Sequence, residues 1–158
     1  MNLDQTDRKL LSLLQEDAKR TTKELSMQLG LSKTAVYERI RKMEREGVIR
    51  QYTALLDREK INRAFVVFCH IRLTQHTKEN VAEFEKQVVS LHEVQECYHV
   101  SGDYDYILKI HVANMEDYRN FMVTKLTDLK HIGNTHSIFM IGEVKNSSVI
   151  EVGARNKT

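Results

Sequence analysis

The stretch TTKELSMQLGLSKTAVYERI, residues 21–40, constrains the fold of this chain more than any other feature. Thr21 and Glu24 form a T-x-x-E capping box that opens a short helix, and Gly30 is placed to end that helix. Ser32 then caps a longer helix. Two helices joined by so tight a turn predict a helix-turn-helix, in which the second helix leaves one face exposed.

Apolar residues at helical spacing indicate which faces of these helices are buried. The expected packing set is Leu25, Leu29, Leu31, Val36 and Ile40. If this set turns inward, a polar set points outward, which comprises Ser32, Lys33, Thr34, Tyr37, Glu38, Arg41 and Arg45. Hydroxyls, amides at a helix N-terminus and cationic side chains are the groups that contact phosphates and base edges. We therefore predict that this face binds DNA.

The plain alternative is a three-helix bundle whose third helix is an ordinary charged surface. A first helix is expected before residue 21, since Asp4 is a plausible N-cap with Asp7 three residues later. Residues 33–50 hold six basic side chains against three acidic ones. The capping box, the turn glycine and this local excess of positive charge occur in one short span, which favours the DNA-binding interpretation.

Whole-chain properties exclude several classes of protein. The 158 residues are 41% hydrophobic and 29% charged, with a net charge of +2, which is typical of a packed globular chain. No apolar run approaches the roughly 20 residues that span a bilayer, and the N-terminus carries acids where a signal peptide is basic. We expect a cytoplasmic protein without a membrane partner. Cys69 and Cys97 lie too far apart for a zinc ribbon, and buried free thiols are expected.

The second half of the chain changes from helical periodicity to alternating strands and helices. Strands are predicted at 64–73, 94–100, 104–112 and 132–141, and helices at 77–89 and 114–126. The fold class is therefore α+β, with an N-terminal helix-turn-helix (winged-helix-like) domain and a C-terminal ferredoxin-like βαββαβ domain. The expected divisions are 1–50 for the first domain, 51–62 for a linker strand, 63–145 for the second domain, and 146–158 for a tail that frays.

The first of these strands carries apolar residues on both of its faces. Phe65, Val67 and Cys69 share one face, while Val66 and Phe68 lie on the other. Helices are expected to cover only one face of this sheet, so something apolar must cover the second face. A partner subunit is the simplest cover, and a crossover element of the same chain is the alternative.

The whole chain resembles the Lrp/AsnC (feast/famine) family of transcriptional regulators. The matching elements are LDQTDRKLLSLLQEDAKRTTKELSMQLGLSKTAVYERIRKMEREGVI near the start, YTALLD at 52–57, and VQECYHVSGDYDYILKI at 94–110. The resemblance implies a helix-turn-helix, a linker strand and a ferredoxin-like regulatory domain whose sheets pack face to face in a dimer. It also implies tetramers or octamers built from such dimers, with double-stranded DNA as the partner.

A second signature, SGDYDY at 101–106, bears on ligand binding. Taken alone, Gly-Asp between two strands is a hairpin turn, and its acids could be no more than turn formers. In the family this loop borders a cleft between dimers that binds a small effector, typically an amino acid. The resemblance therefore implies an effector site with these residues: Gly102, Asp103, Tyr104 and Asp105, with Thr135 and Ser137 as polar neighbours. An exposed backbone N–H receives a carboxylate, and an Asp pairs with an ammonium.

Among enzymatic functions, the sequence leaves one specific alternative open. All seven histidines lie after residue 69, but none is in an HExxH spacing, and neither a phosphate-binding Gly loop nor a G-x-S-x-G motif is present. We therefore expect no metal, no cofactor and no catalytic residue. Sirohaem decarboxylases resemble the same two-domain plan, and histidines on a sheet face could serve tetrapyrrole chemistry. The basic third helix argues against that alternative, because a decarboxylase needs no DNA-reading surface.

Overall fold

The computed structural model describes residues 2–153, which fold as two compact units. Of these described residues, 2–54 and 145–153 form the N-terminal unit, and Leu55–Val144 form the second unit. Each unit has its own apolar core. None of the helices in the described part of the chain is long and apolar enough to cross a membrane.

Three helices form the N-terminal unit: α1 (Gln5–Glu16), α2 (Thr22–Leu29) and α3 (Lys33–Arg45). Their starts follow the local sequence, since Asp4 with Asp7, and Thr21 with Glu24, form complete capping boxes. The Ser32 hydroxyl accepts the Ala35 N–H at 3.1 Å, which caps α3. Gly30 ends α2 at φ +65°, a left-handed conformation in which glycine meets no steric penalty. The predicted helix-turn-helix is confirmed.

The core of the N-terminal unit lies between the three helices. Leu10, Val36 and Met43 are fully buried, and Leu25 is nearly so. Ile40 is only partly buried at the edge of this core, together with Leu29 and Leu31. The packing set that we predicted therefore faces inward, with three of its members at the rim.

The C-terminal tail does not simply fray. Val152 packs against the core of the N-terminal unit. The Gln15 side-chain amide pairs with the backbone of Ile150, donating to its carbonyl at 2.9 Å and accepting from its N–H at 2.8 Å. Sequence reasoning missed this docking because the tail is polar overall. The remainder of the predicted tail, residues 154–158, lies outside the described residues.

The second unit has the predicted strand and helix order. Its elements are β1 (Phe65–Leu73), α4 (Lys78–Val88), β2 (Val94–His99), β3 (Tyr106–Val112), α5 (Met115–Phe121) and β4 (Ile132–Phe139), with a π-helical turn, Met122–Leu126, continuing α5. The sheet order is β2-β3-β1-β4, with all neighbours antiparallel. This is the ferredoxin-like arrangement, and it confirms the α+β class.

The two faces of the sheet differ in their cover. Val67, Cys69 and Ile71 are fully buried on the face that packs against α4 and α5. On the opposite face Val66 is 2% exposed, whereas Tyr98 and Ile138 are 53% and 42% exposed. Within the described residues, the apolar second face inferred from the sequence therefore buries Val66 but leaves Tyr98 and Ile138 largely exposed.

The linker differs from our expectation. Residues 51–57 have no regular secondary structure and residues 58–62 form turns, so the predicted linker strand is not present. The physical reason is that a strand needs a hydrogen-bonded partner, and none of the described segments pairs with this one. Tyr52, Leu55 and Leu56 are exposed along it. The described residues of the N-terminal unit also contain no strand, so its helix-turn-helix carries no wing hairpin.

Candidate nucleic-acid interface and effector site

One side of α3, with its N-cap, presents every residue that we predicted for DNA contact. The exposed members are Ser32, Lys33, Thr34, Tyr37, Glu38, Arg41 and Arg45. The opposite side of the helix carries Val36 and Met43, which are fully buried. The amphipathic repeat of α3 thus turns polar and cationic groups to the surface along the whole helix.

The cations on this surface differ in how they are held. Lys33 and Arg45 form no ion pair with any other described residue. Arg41 donates from Nη1 to Oε2 of Glu44 at 3.0 Å, and its side chain is 61% exposed. The hydrogen bond to Glu44, with the nearby Tyr37, raises the pKa of Arg41 above its usual range. Arg41 therefore stays charged while it is oriented along the surface.

Arg39 is one of the six basic residues in 33–50, but its guanidinium is paired with two aspartates. Its Nη1 donates to Asp4 at 2.7 Å and to Asp7 at 2.6 Å. The pKa of Asp4 is lowered below its usual value, mainly by the hydrogen bond from the Asp7 backbone N–H and next by the hydrogen bond from Arg39. Arg39 thus ties α3 to the start of α1, a role that the residue types alone do not reveal.

The SGDYDY loop is held at the end of β1 by side chains that sequence reasoning did not nominate. Arg72 donates from Nε to the carbonyl of Asp103 at 2.8 Å. The Asp105 carboxylate accepts the Leu73 N–H at 2.7 Å and lies 2.7 Å from Nε2 of His76. Burial alone would raise the pKa of Asp105, but these two hydrogen bonds lower it below its usual value. Asp105 is therefore an anion with both oxygens engaged.

Tyr104 lies in a cluster of rings on the second face of the sheet. Its ring centroid is 5.0 Å from that of His70 and 6.1 Å from that of His136, and the Arg72 guanidinium lies 5.8 Å from it. Gly102 of the SGDYDY loop has φ +126°, a backbone conformation that favours glycine. Period-two alternation puts His70 and Arg72 on one face of β1, but it does not reveal that Tyr104 covers them.

Thr135 and Ser137 are not brought together with this loop. They lie opposite Ile71 and Cys69 in the β1–β4 ladder, so their side chains point to the helix-covered face. Ser137 is also bonded to the Tyr118 hydroxyl at 2.5 Å. Within one chain the pleat therefore turns both side chains away from Tyr104, and their place in an effector site between dimers stays a prediction.

Neither the histidines nor the cysteines form a reactive centre in the described part of the chain. Among residues 2–153, no group of three or more His, Cys, Asp or Glu side chains could hold a metal ion. Burial raises the pKa of Cys69, and burial with the nearby Glu85 raises the pKa of Cys97 to about 11. Both thiols are therefore protonated at neutral pH, which makes them poor nucleophiles.

A helix-turn-helix unit with an exposed cationic helix, joined to a ferredoxin-like unit with a polar loop, defines a class of transcriptional regulator with a separate ligand-binding domain. Residues 3–44 match the AsnC-type helix-turn-helix domain, and residues 66–150 match the Lrp/AsnC ligand binding domain. The leucine-responsive regulatory protein of Escherichia coli K12 is 38% identical over 154 residues, which cover 98% of this chain and 94% of that protein. The chain belongs to the Lrp/AsnC family of transcriptional regulators.

Solved structures agree with this assignment. A transcriptional regulator of Neisseria meningitidis in complex with L-Met is 30% identical, with a TM-score of 0.90 over 94% of this chain and 96% of that one. An AsnC family transcriptional regulator of Agrobacterium tumefaciens is 36% identical, with a TM-score of 0.89 and the same coverage of both chains.

Proposed function

We propose that this regulator binds specific DNA sequences through α3 and that a small effector, an amino acid, modulates the binding. The observation that carries the proposal is the exposure of all seven polar candidates on and beside one helix. Helix-turn-helix proteins insert such a helix into the major groove. As a transcriptional regulator, the protein would act in the cytoplasm.

The side chains of α3 divide by chemistry into two roles. Lys33, Arg41 and Arg45 are cations, so they would contact phosphates and supply most of the affinity and its salt dependence. Ser32, Thr34, Tyr37 and Glu38 would supply most of the sequence reading, because hydroxyl and carboxylate groups pair with particular base edges.

A dimer would place two copies of α3 in successive major grooves of a near-palindromic site. The partly uncovered second face of the sheet supports this assembly, since Tyr98 and Ile138 are large and exposed there. Two sheets that pack by such faces bury apolar area on both. Tetramers or octamers would then form from these dimers.

The effector site would lie at the loop that contains Gly102, Asp103, Tyr104 and Asp105, at an interface between dimers. The loop offers backbone N–H groups, Arg72 adds a positive charge beside it, and His76 adds a ring nitrogen. The N. meningitidis relative, which was solved with L-Met, supports an amino acid as the ligand class. An effector changes DNA binding only if it binds one assembly more tightly than another, so its effect would pass through oligomer geometry.

The test is selection of bound fragments from genomic DNA by the full chain, with and without each amino acid, followed by calorimetry of each amino acid that changes the selection. We expect a shared near-palindromic motif whose occupancy changes with one or a few amino acids. Retention of all fragments alike would contradict specific binding. A selection that no amino acid changes, or the absence of binding heat for those that change it, would contradict the effector part alone.

We propose no enzymatic activity. The relatives compared above are named as transcriptional regulators, and no observation favours the sirohaem decarboxylase alternative. Adding a tetrapyrrole to the purified protein tests that alternative, because binding and conversion would both change the visible absorption spectrum.

A further inference from the structure

Glu44 lies between the DNA-contact surface of α3 and the segment that follows the helix. Its Oε2 accepts from Nη1 of Arg41 at 3.0 Å, and its Oε1 accepts from the hydroxyl of Tyr52 at 3.0 Å. The Glu44 side chain is 27% exposed, whereas that of Arg41 is 61% exposed. The carboxylate is thus partly enclosed by its two donors, and the guanidinium projects beyond it.

Tyr52 belongs to the stretch that connects the two units. It lies eight residues after Glu44 and three residues before Leu55, where the second unit begins. Burial, followed by the bond to Glu44, raises the pKa of Tyr52 to about 12. Its hydroxyl therefore remains a hydrogen-bond donor throughout the physiological range.

We propose that Glu44 is a positioning residue, which links the conformation of the segment around Tyr52 to the direction in which Arg41 presents its guanidinium to DNA. This inference rests on the proposed DNA contact of Arg41. It deepens that proposal by naming a route through which a change at the second unit reaches the DNA-contact surface.

The physical basis is the number of hydrogen-bond donors that Arg41 offers and the number that the Glu44 carboxylate receives. A guanidinium has five N–H groups, so Arg41 can keep one on Glu44 and direct others to a phosphate. A carboxylate that is held by one donor rotates freely, whereas two donors fix its plane. With Tyr52 in place, Arg41 loses less side-chain freedom when it meets DNA. If the segment moves and Tyr52 leaves, Arg41 is less well oriented and DNA binding weakens.

The expected size of the effect is modest because the pair is exposed to solvent. An exposed ion pair, together with the hydrogen bond that orients it, contributes little free energy. Removal of the Tyr52 hydroxyl should therefore weaken DNA binding about two- to fivefold. Tyr52→Phe is the suitable change, since it removes one hydroxyl without altering charge. Glu44→Ala alone is unsuitable, since the loss of an acid near DNA strengthens binding for electrostatic reasons.

The test is a set of double-mutant cycles with the full chain, in which the dissociation constant for a DNA fragment bound by the wild-type protein is measured by fluorescence anisotropy. Tyr52→Phe should weaken binding in the wild-type background and in an Arg45→Ala background, which is the matched control on the same helix. It should have no effect in an Arg41→Ala or a Glu44→Ala background, because the link is already broken there.

Equal weakening by Tyr52→Phe in all four backgrounds would overturn the inference, and so would no weakening in the wild-type background. A general loss of structure would also weaken binding in the Arg41→Ala background, so the cycle separates it from positioning. If the wild-type protein binds no DNA fragment, the proposed function fails. If it binds DNA but Tyr52→Phe has the same effect in every background, only the positioning role of Glu44 fails.

Discussion

Nη1 of Arg39, on α3, lies 2.6 Å from Oδ1 of Asp7, whose side chain is only 6% exposed at the start of α1. The same nitrogen lies 2.7 Å from Oδ2 of Asp4. These contacts join the helix that carries the DNA-contact surface to the first helix of the chain. Without them the buried Asp7 carboxylate would keep the Asp4 N–H as a donor but would lose its cation.

Arg39→Ala should destabilise the N-terminal unit by about 2 kcal/mol, because it leaves the Asp7 carboxylate buried without its cation. The measurement is urea unfolding of the full chain, followed by circular dichroism. Lys42→Ala is the control, since Lys42 is an exposed cation of the same helix, and its removal should change stability by less than about 0.5 kcal/mol. Equal losses in the two variants would show that Arg39 has no special role.

Acid should weaken the start of α1. The pKa of Asp4 is lowered in the folded protein by the Asp7 N–H and then by Arg39, so the folded state prefers its charged form. Its contribution to stability is therefore fully present above the unfolded pKa of about 3.9 and is lost as pH falls through the lower folded value. The difference in unfolding midpoint between wild type and Asp4→Asn should be constant from pH 5 to 8 and shrink below pH 4. A constant difference down to pH 2 would contradict this assignment.

Arg41→Ala should weaken DNA binding and reduce its salt dependence. One lost phosphate contact lowers the slope of log K against log salt by about 0.9. The slope is obtained from binding isotherms at four or more salt concentrations. Lys60→Ala, which removes an exposed cation of the second unit, is the control and should leave affinity and slope unchanged. Unchanged binding by Arg41→Ala across the salt series would remove this residue from the contact surface.

Asp105→Ala should abolish the effector response while DNA binding in the absence of effector persists. The carboxylate that is removed holds the Leu73 N–H and His76, so the loop loses both its anion and two of its attachments. The response is measured as the change in DNA affinity on adding the amino acid identified by calorimetry. Asp128→Ala removes an exposed acid of the same unit outside the loop and should respond like wild type. A normal response from Asp105→Ala would exclude this carboxylate from the site.

The two thiols should differ in their reaction with a thiol reagent. Cys97 is partly buried and has a pKa of about 11, so about one molecule in a thousand carries the thiolate at pH 8. Its rate of modification should rise about tenfold per pH unit between pH 8 and 10. Cys69 is fully buried and should react only when the protein unfolds. Cys97→Ala identifies which thiol gives the signal, and rapid modification of that variant in native buffer would contradict the burial of Cys69.

Much of the fold followed from relations between residues three or four positions apart. Thr21 and Glu24 begin α2, and Ser32 begins α3, because each side chain bonds to a backbone group within its own first turn. The positions of the strands along the second half of the chain followed from period-two alternation, which is also a local pattern. On α5, Met115 is 51% exposed, whereas Phe121 is buried. That helix is short and ends in a π-helical turn, so ideal 3.6-residue spacing does not describe it.

The sequence by itself determined the helix starts, the alternation of the strands and the exposed set on α3, because these depend on hydrogen bonds and side-chain directions within one element. Only the tertiary structure decided that Arg39 is paired while Arg45 has no ion-pair partner among the described residues, that Arg72 and His76 hold the SGDYDY loop, and that Ser137 faces away from it. These relations join residues about 20 to 30 positions apart. They depend on strand register and helix packing, which no local pattern encodes.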